Sequence, residues 1–209
     1  MILIIAAMSS EVETLLNHLN LKTTHPFMTY EGRYEKKDML LIVTGVGKTN
    51  AASGLAYMLT TYPQIKQIIN LGIVGGHKVN LYETFVVSEA TYHDVDLTAF
   101  NYEYGQIPKF PAIHFTDVRI LNKLQGFQQI RLYTGDVFSI KPINDNPYIV
   151  DMEGASIYQV AHSFKYPVVS IKVVSDVLDS ADQLKTYTKN EGELADQLLD
   201  ALDIVLEVL

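Results

Sequence analysis

Short apolar runs recur along the chain, separated by longer stretches in which apolar residues return every three or four positions. Strand candidates are residues 2–7 (ILIIAA), 39–44 (MLLIVT), 67–74 (QIINLGIV), 84–90 (TFVVSEA), 130–136 (IRLYTGD), 147–152 (PYIVDM) and 168–176 (VVSIKVVSD). Several are apolar on both faces, which is the pattern of strands covered by helices on two sides. The first helix is expected after Ser9 and Ser10, with Ser10 and Glu13 at capping-box spacing and Val12, Leu15, Leu16 and Leu19 as its apolar stripe. A second helix covers residues 49–62 and stops at Pro63, and a third begins near Glu153. A last helix carries Leu194, Leu198, Leu202, Val205 and Leu209 on one face. Residues 139–147 (SIKPINDNP) are polar and contain two prolines, so they read as a loop rather than a boundary.

This alternation predicts an α/β fold, a single domain over residues 1–209. Its architecture is a three-layer sandwich with a central mixed, largely parallel sheet flanked by helices. Ligands of such sheets sit beyond the carboxyl ends of the strands, which directs attention to the residues just past each run.

Composition narrows the classes. The chain has 209 residues and no cysteine, which removes disulfide frameworks and thiolate metal sites and suits a cytoplasmic location. The leading MILIIAAM has neither a basic segment nor a cleavage pattern, and no run approaches the length of about 20 apolar residues that spans a bilayer. No membrane association is expected. Net charge is −8, and the only arginines are Arg33, Arg119 and Arg131. No basic stripe is present to neutralise phosphates, so a nucleic-acid partner is not expected.

Candidate chemistry gathers at the strand ends. Gly47-Lys48-Thr49 matches the end of a phosphate loop, but Ile42 occupies the position that the first glycine of that motif requires. What remains is a tight Gly-Val-Gly turn. NLGIVGG (70–76) reads as a second glycine turn, either structural or facing a ligand. In the segment 92–108 (YHDVDLTAFNYEYGQIP), adjacent His93 and Asp94 point to opposite faces of an extended chain, and Asp94 with Asp96 makes a poor transition-metal site. Hydrogen-bonded structural roles are expected for both acids. Glu11, Glu153 and Asp176 each follow an apolar run. Glu11 also suits a helix N-terminus electrostatically. Converging on one rim, the three would supply the protonated acid and ionised base that glycosidic cleavage needs.

The motifs AAMSSEVE, TGVGKTNAA, NLGIVGG, YHDVDLTAFNYEYGQIP, TGDVF, VDMEGASIYQVA and VVSDVLD, in this order, resemble those of the bacterial 5′-methylthioadenosine/S-adenosylhomocysteine nucleosidases of the nucleoside phosphorylase superfamily. The resemblance runs nearly end to end and implies a nucleoside phosphorylase-like sandwich that hydrolyses the N-ribosyl bond of these substrates to release adenine. It implies that Glu11 orients and activates water, that Asp176, beside Ser175, protonates purine N7, and that Glu153 accepts from the ribose hydroxyls. Met152 would pack on the sugar and Phe138 on adenine, with Asp151 facing away. Val46 and Leu97 would line the alkylthio pocket, with Phe100 and Pro108 reaching in from a second subunit of a homodimer, and Tyr187 closing it. No cofactor or metal is implied.

Three features depart from the family pattern: Ile73 in place of a hydroxyl residue, Lys172 in place of an arginine, and a short segment after Phe138. Alternative readings are a hydrolase of another modified purine nucleoside such as futalosine, a phosphate-dependent purine nucleoside phosphorylase, and a non-catalytic nucleoside-binding protein. The phosphorylase needs an anion site, usually built with arginine, and no arginine falls in a strand-end motif.

Overall fold

The eleven-residue strand Gln67–His77 organises the sheet. The computed structural model describes all residues, Met1–Leu209. In chain order the strands are β1 (Ile2–Ala6), β2 (Asn20–Thr23), β3 (Met28–Tyr34), β4 (Lys37–Val43), β5 (Gln67–His77), β6 (Thr84–Tyr92), β7 (His114–Phe115), β8 (Gln128–Thr134), β9 (Tyr148–Asp151) and β10 (Val168–Val177). The helices are α1 (Glu13–Leu16), α2 (Lys48–Thr61), α3 (Val118–Lys123), α4 (Gly154–Phe164), α5 (Gln183–Asn190) and α6 (Ala195–Val208).

The sheet is mixed. Its central ladder β4–β1–β5–β10 is parallel, and β2 and β3 extend it antiparallel beyond β4. On the other side β10 pairs with β6, β6 with β8, β8 with β9, and β9 returns antiparallel to the end of β5. The ring β5–β10–β6–β8–β9 therefore closes on itself, and closure removes the edges that an open sheet leaves unpaired. Helices α2 and α4 cover one face, where Leu55, Met58, Ile157 and Ala161 pack on Leu3, Ile5 and Ile42. Helix α6 covers the other, setting Leu202 and Val205 against Ile4, Leu41 and Val169. No helix is long and apolar enough to cross a membrane.

Two expectations need correction. The segment NLGIVGG is no turn but the middle and end of β5. Its glycines serve close approach: a Cβ on Gly75 would meet Leu178, Asp176 and Val150, where β9 and β10 crowd the strand from both sides. The first helix is also shorter than its stripe suggests. A 3-10 turn, Ser9–Glu11, precedes α1, and Ser10 makes no cap. Glu11 reaches back instead to the Met8 amide, while Val12, Leu15 and Leu19 are buried as the stripe requires.

Candidate active site

A cleft of about 540 Å³ opens where β1, β5, β9 and β10 end. Its wall contains Glu11, Val46, Ile73, Phe138, Met152, Glu153, Ser175, Asp176 and Tyr187. Leu97, Phe100 and Pro108 lie outside the cleft of this chain. Leu97 starts the 3-10 turn Thr98–Phe100 on the outer segment, Phe100 is 73% exposed, and Pro108 is also exposed.

The three acids reach the cleft by different local devices. Glu11 is fixed by backbone amides: its Oε2 accepts from Ala7 (3.0 Å) and Met8 (2.9 Å), and its Oε1 accepts from Ile73 (3.0 Å). An ionised carboxylate offers about four acceptor sites, so roughly one remains for another donor. Burial is the largest influence on Glu11 and pushes its pKa up, with Lys172 and the amides pulling the other way. Glu153 ends the β9 connection and heads α4, and its Oε1 accepts from the Gly47 amide at 2.6 Å. That contact gives the Gly-Val-Gly turn its use, since Gly47 has φ +103°, which favours glycine. Burial, then the neighbouring Asp151, raises the pKa of Glu153.

Asp176 is placed by a β-bulge. Val174 pairs with Val74 and Asp176 with Gly75, leaving Ser175 as the extra residue of β10. Bulges re-aim side chains in this way beside active sites. The Ser175 hydroxyl donates to Asp176 Oδ1 (2.7 Å), and Gln183 Nε2 donates to Oδ2 (2.8 Å). Burial raises the Asp176 pKa, and these two hydrogen bonds only partly offset it.

Beneath the acids lies a charge pair. Lys172 Nζ stands 3.0 Å from Asp151 Oδ2, both side chains buried. Burial alone would lower the lysine pKa, but Asp151, Glu11 and Glu153 outweigh it and hold Lys172 above the ordinary lysine value. Asp151 borders the cleft, yet its carboxylate is committed to Lys172, the Thr134 hydroxyl and the Gly154 amide. Gly72 makes room for this layer: a Cβ there would lie 2.9 Å from both Glu11 Oε1 and Lys172 Nζ.

Phe138 meets Tyr187 edge to face, with centroids 5.2 Å apart. Ile73 packs with Val173, Leu194 and Leu198, so the position that departs from the family pattern is filled by apolar contacts under the cleft. Lys48, the residue of the apparent phosphate loop, bonds Asp94 at 2.5 Å and lies 3.7 Å from Asp136. Asp96 accepts from the Thr98 amide and hydroxyl. Both acids of that segment thus hold its backbone in place. Gln183, which bonds the Asp176 carboxylate, carried no sequence signal: it opens a polar helix without an apolar stripe.

A model of the phosphorylase superfamily matches residues 1–209. The 5′-methylthioadenosine/S-adenosylhomocysteine nucleosidase of Bacillus subtilis (strain 168) is 32% identical over 228 aligned positions, covering 99% of this chain and 96% of that protein. This chain belongs to that nucleosidase family, within the phosphorylase superfamily. The nucleosidase of the same name from Glaesserella parasuis serovar 5 is 36% identical, covering 87% of each chain. Among solved structures, the Streptococcus pneumoniae MTA/SAH nucleosidase in complex with 8-aminoadenine superposes with a TM-score of 0.90 at 26% identity, covering 100% of this chain and 99% of that one. The nucleosidase family thus extends over the whole length that builds the cleft. No lysine, arginine or histidine lies on the wall of the cleft in this member, and the buried Lys172 is held by Asp151.

Proposed function

We propose that this chain hydrolyses the N-ribosyl bond of 5′-methylthioadenosine and S-adenosylhomocysteine, releasing adenine and the corresponding 5-thioribose. The observation that carries the reading is the convergence of Glu11, Glu153 and Asp176, all buried, on one cleft whose wall has no basic side chain. The C1′–N9 bond breaks with its electron pair remaining on the purine. Asp176 supplies the proton to N7, so that a neutral base departs. Its raised pKa supports that role, because a general acid must hold its proton near neutral pH.

Water adds to C1′ and loses a proton. Glu11 suits this step because its amide bonds fix its orientation and leave an acceptor site open. Glu153, with one oxygen taken by Gly47, has capacity left for the ribose hydroxyls. Negative charge beside the sugar stabilises an oxocarbenium-like transition state. Met152 and Phe138 supply surfaces for sugar and base. The cationless wall favours water over phosphate as nucleophile.

The working unit in this reading is a homodimer of single-domain chains, 1–209, in the cytoplasm. Val46, 46% exposed, marks the outer part of the cleft. Phe100 (73% exposed), Pro108 and the adjoining Leu97 are available to a neighbouring subunit. The test is adenine release by Asp176→Asn. Turnover should fall about 10²–10⁴-fold while the folded variant still binds adenine, and near wild-type release would contradict the role of Asp176.

A further inference from the structure

We propose that Gln183 is a positioning residue for proton delivery: its side-chain amide ties the Asp176 carboxyl group to the loop carrying Phe138 and selects the oxygen that holds the acid proton. This rests on Asp176 being the general acid. Gln183 is the first residue of α5 and is 5% exposed. Its Nε2 lies 2.8 Å from Asp176 Oδ2 and 2.8 Å from the carbonyl oxygen of Ser139. An amide nitrogen has two hydrogens, and both are used here. The opposite amide orientation would set an oxygen against the Ser139 carbonyl, which can only accept. The orientation is therefore fixed by chemistry.

The consequence concerns the proton. Asp176 Oδ2 receives an N–H, so a proton on that oxygen would compete with Gln183. Oδ1 faces the Ser175 hydroxyl at 2.7 Å, and the same hydroxyl can donate to the Val74 carbonyl at 3.2 Å. When Asp176 is neutral, Oδ1–H donates to Ser175, and Ser175 donates to Val74. When Asp176 is ionised, the serine hydroxyl turns and donates to Oδ1. Oδ1 thus has a satisfied arrangement in both states, whereas Oδ2 has one only when unprotonated. To reach the purine, the Oδ1 proton exchanges its hydrogen bond to Ser175 for one to N7, and the serine hydroxyl then turns to donate to the Oδ1 left ionised. Because Ser139 follows Phe138, the bridge also sets the acid relative to the aromatic surface for the base.

The other ionisable groups on the cleft wall with Asp176 are Tyr187 on α5, Glu11 on the 3-10 turn, and Asp151 and Glu153 at and after the end of β9. The facing β5 residues, Val74 and Gly75, and the loop residues Val137, Phe138 and Ser139 carry none. Gln183 and Ser175, both neutral, are thus the side-chain donors to Asp176.

The experiment compares wild type, Gln183→Met, Leu184→Ala and Asp176→Asn for adenine release from 5′-methylthioadenosine across pH. Methionine keeps the length of glutamine without its donors. We expect Gln183→Met to lower kcat about tenfold or more with a smaller change in KM, reading as lost transition-state positioning. The alkaline limb of kcat/KM should move to higher pH, because the ionised carboxylate has lost a donor. Leu184 is 66% exposed on the same helix, and Leu184→Ala should keep the wild-type profile. Gln183→Leu repeats the test if the methionine variant melts below the assay temperature. An inactive Asp176→Asn beside a wild-type kcat and unmoved limb in Gln183→Met would overturn the inference, as would a change in KM alone. Full turnover by Asp176→Asn would remove the acid itself, and the inference with it.

Discussion

Lys172 Nζ lies 3.0 Å from Asp151 Oδ2, with side-chain exposures of 3% and 2%. The pair joins the strand that carries Asp176 to the segment that delivers Glu153. Breaking a buried pair leaves a charge with neither water nor partner, at a cost of about 3–5 kcal/mol. Lys172→Met is therefore expected to lose about that much stability, and Asp151→Asn a comparable amount. The double variant should lose less than the sum, since each single change includes the cost of the stranded partner. Denaturant unfolding of the four proteins checks this, and strict additivity would show that the pair does not act as a unit.

The raised carboxylates predict a pH dependence of stability. Glu153 has a folded pKa above its unfolded one, chiefly through burial. Its stabilising contribution is complete below the unfolded value of about 4.3 and is lost as pH rises through the folded value. Glu153→Gln removes the ionisation while leaving an oxygen to accept from Gly47. The ligand-free variant should match wild type near pH 4 and gain on it toward neutral and higher pH. A gain of about 1 kcal/mol corresponds to roughly 2–4 °C in melting temperature for a chain of this size. A difference independent of pH would mean that Glu153 titrates normally.

Much of this frame was legible in the sequence. All seven apolar runs became strands because each is buried over most of its length, and Leu198, Leu202 and Val205 face the core as their spacing required. Strand β3 was missed because MTYEGRY has no continuous apolar run and contains Gly32. Helix α5 was missed because QLKTYTKN is polar almost throughout and buries only Gln183 and Asn190. The strand-end rule led to Glu11, Glu153 and Asp176, but it could not show that β9 returns antiparallel along β5. Ring closure and the bulge at Ser175 depend on pairings distant in sequence, which local periodicity does not encode.

The edge-to-face contact between Phe138 and Tyr187 separates two roles for the tyrosine. Its hydroxyl has only the Met8 sulfur as a partner, at 4.0 Å. Tyr187→Phe should keep near wild-type KM, whereas Phe138→Ala should raise KM about tenfold, within the roughly 1–3 kcal/mol of a base–aromatic stack. Steady-state kinetics decide, and an unchanged KM in Phe138→Ala would place the base elsewhere in the cleft.

Phe100 is 73% exposed, so Phe100→Ser should change chain stability by no more than about 0.5 kcal/mol. If Phe100 completes the neighbouring site, the variant should dissociate more readily in sedimentation and show a raised KM. A monomeric wild-type protein with full activity would contradict the shared site.

In the proposed reaction water, not phosphate, takes the sugar. Turnover of 5′-methylthioadenosine in heavy-oxygen water, without phosphate and then with it, tests this directly. Hydrolysis gives adenine release in both, one heavy oxygen at C1 of the thioribose, and no sugar phosphate. Release only with phosphate, yielding a sugar 1-phosphate without label from water, would contradict it.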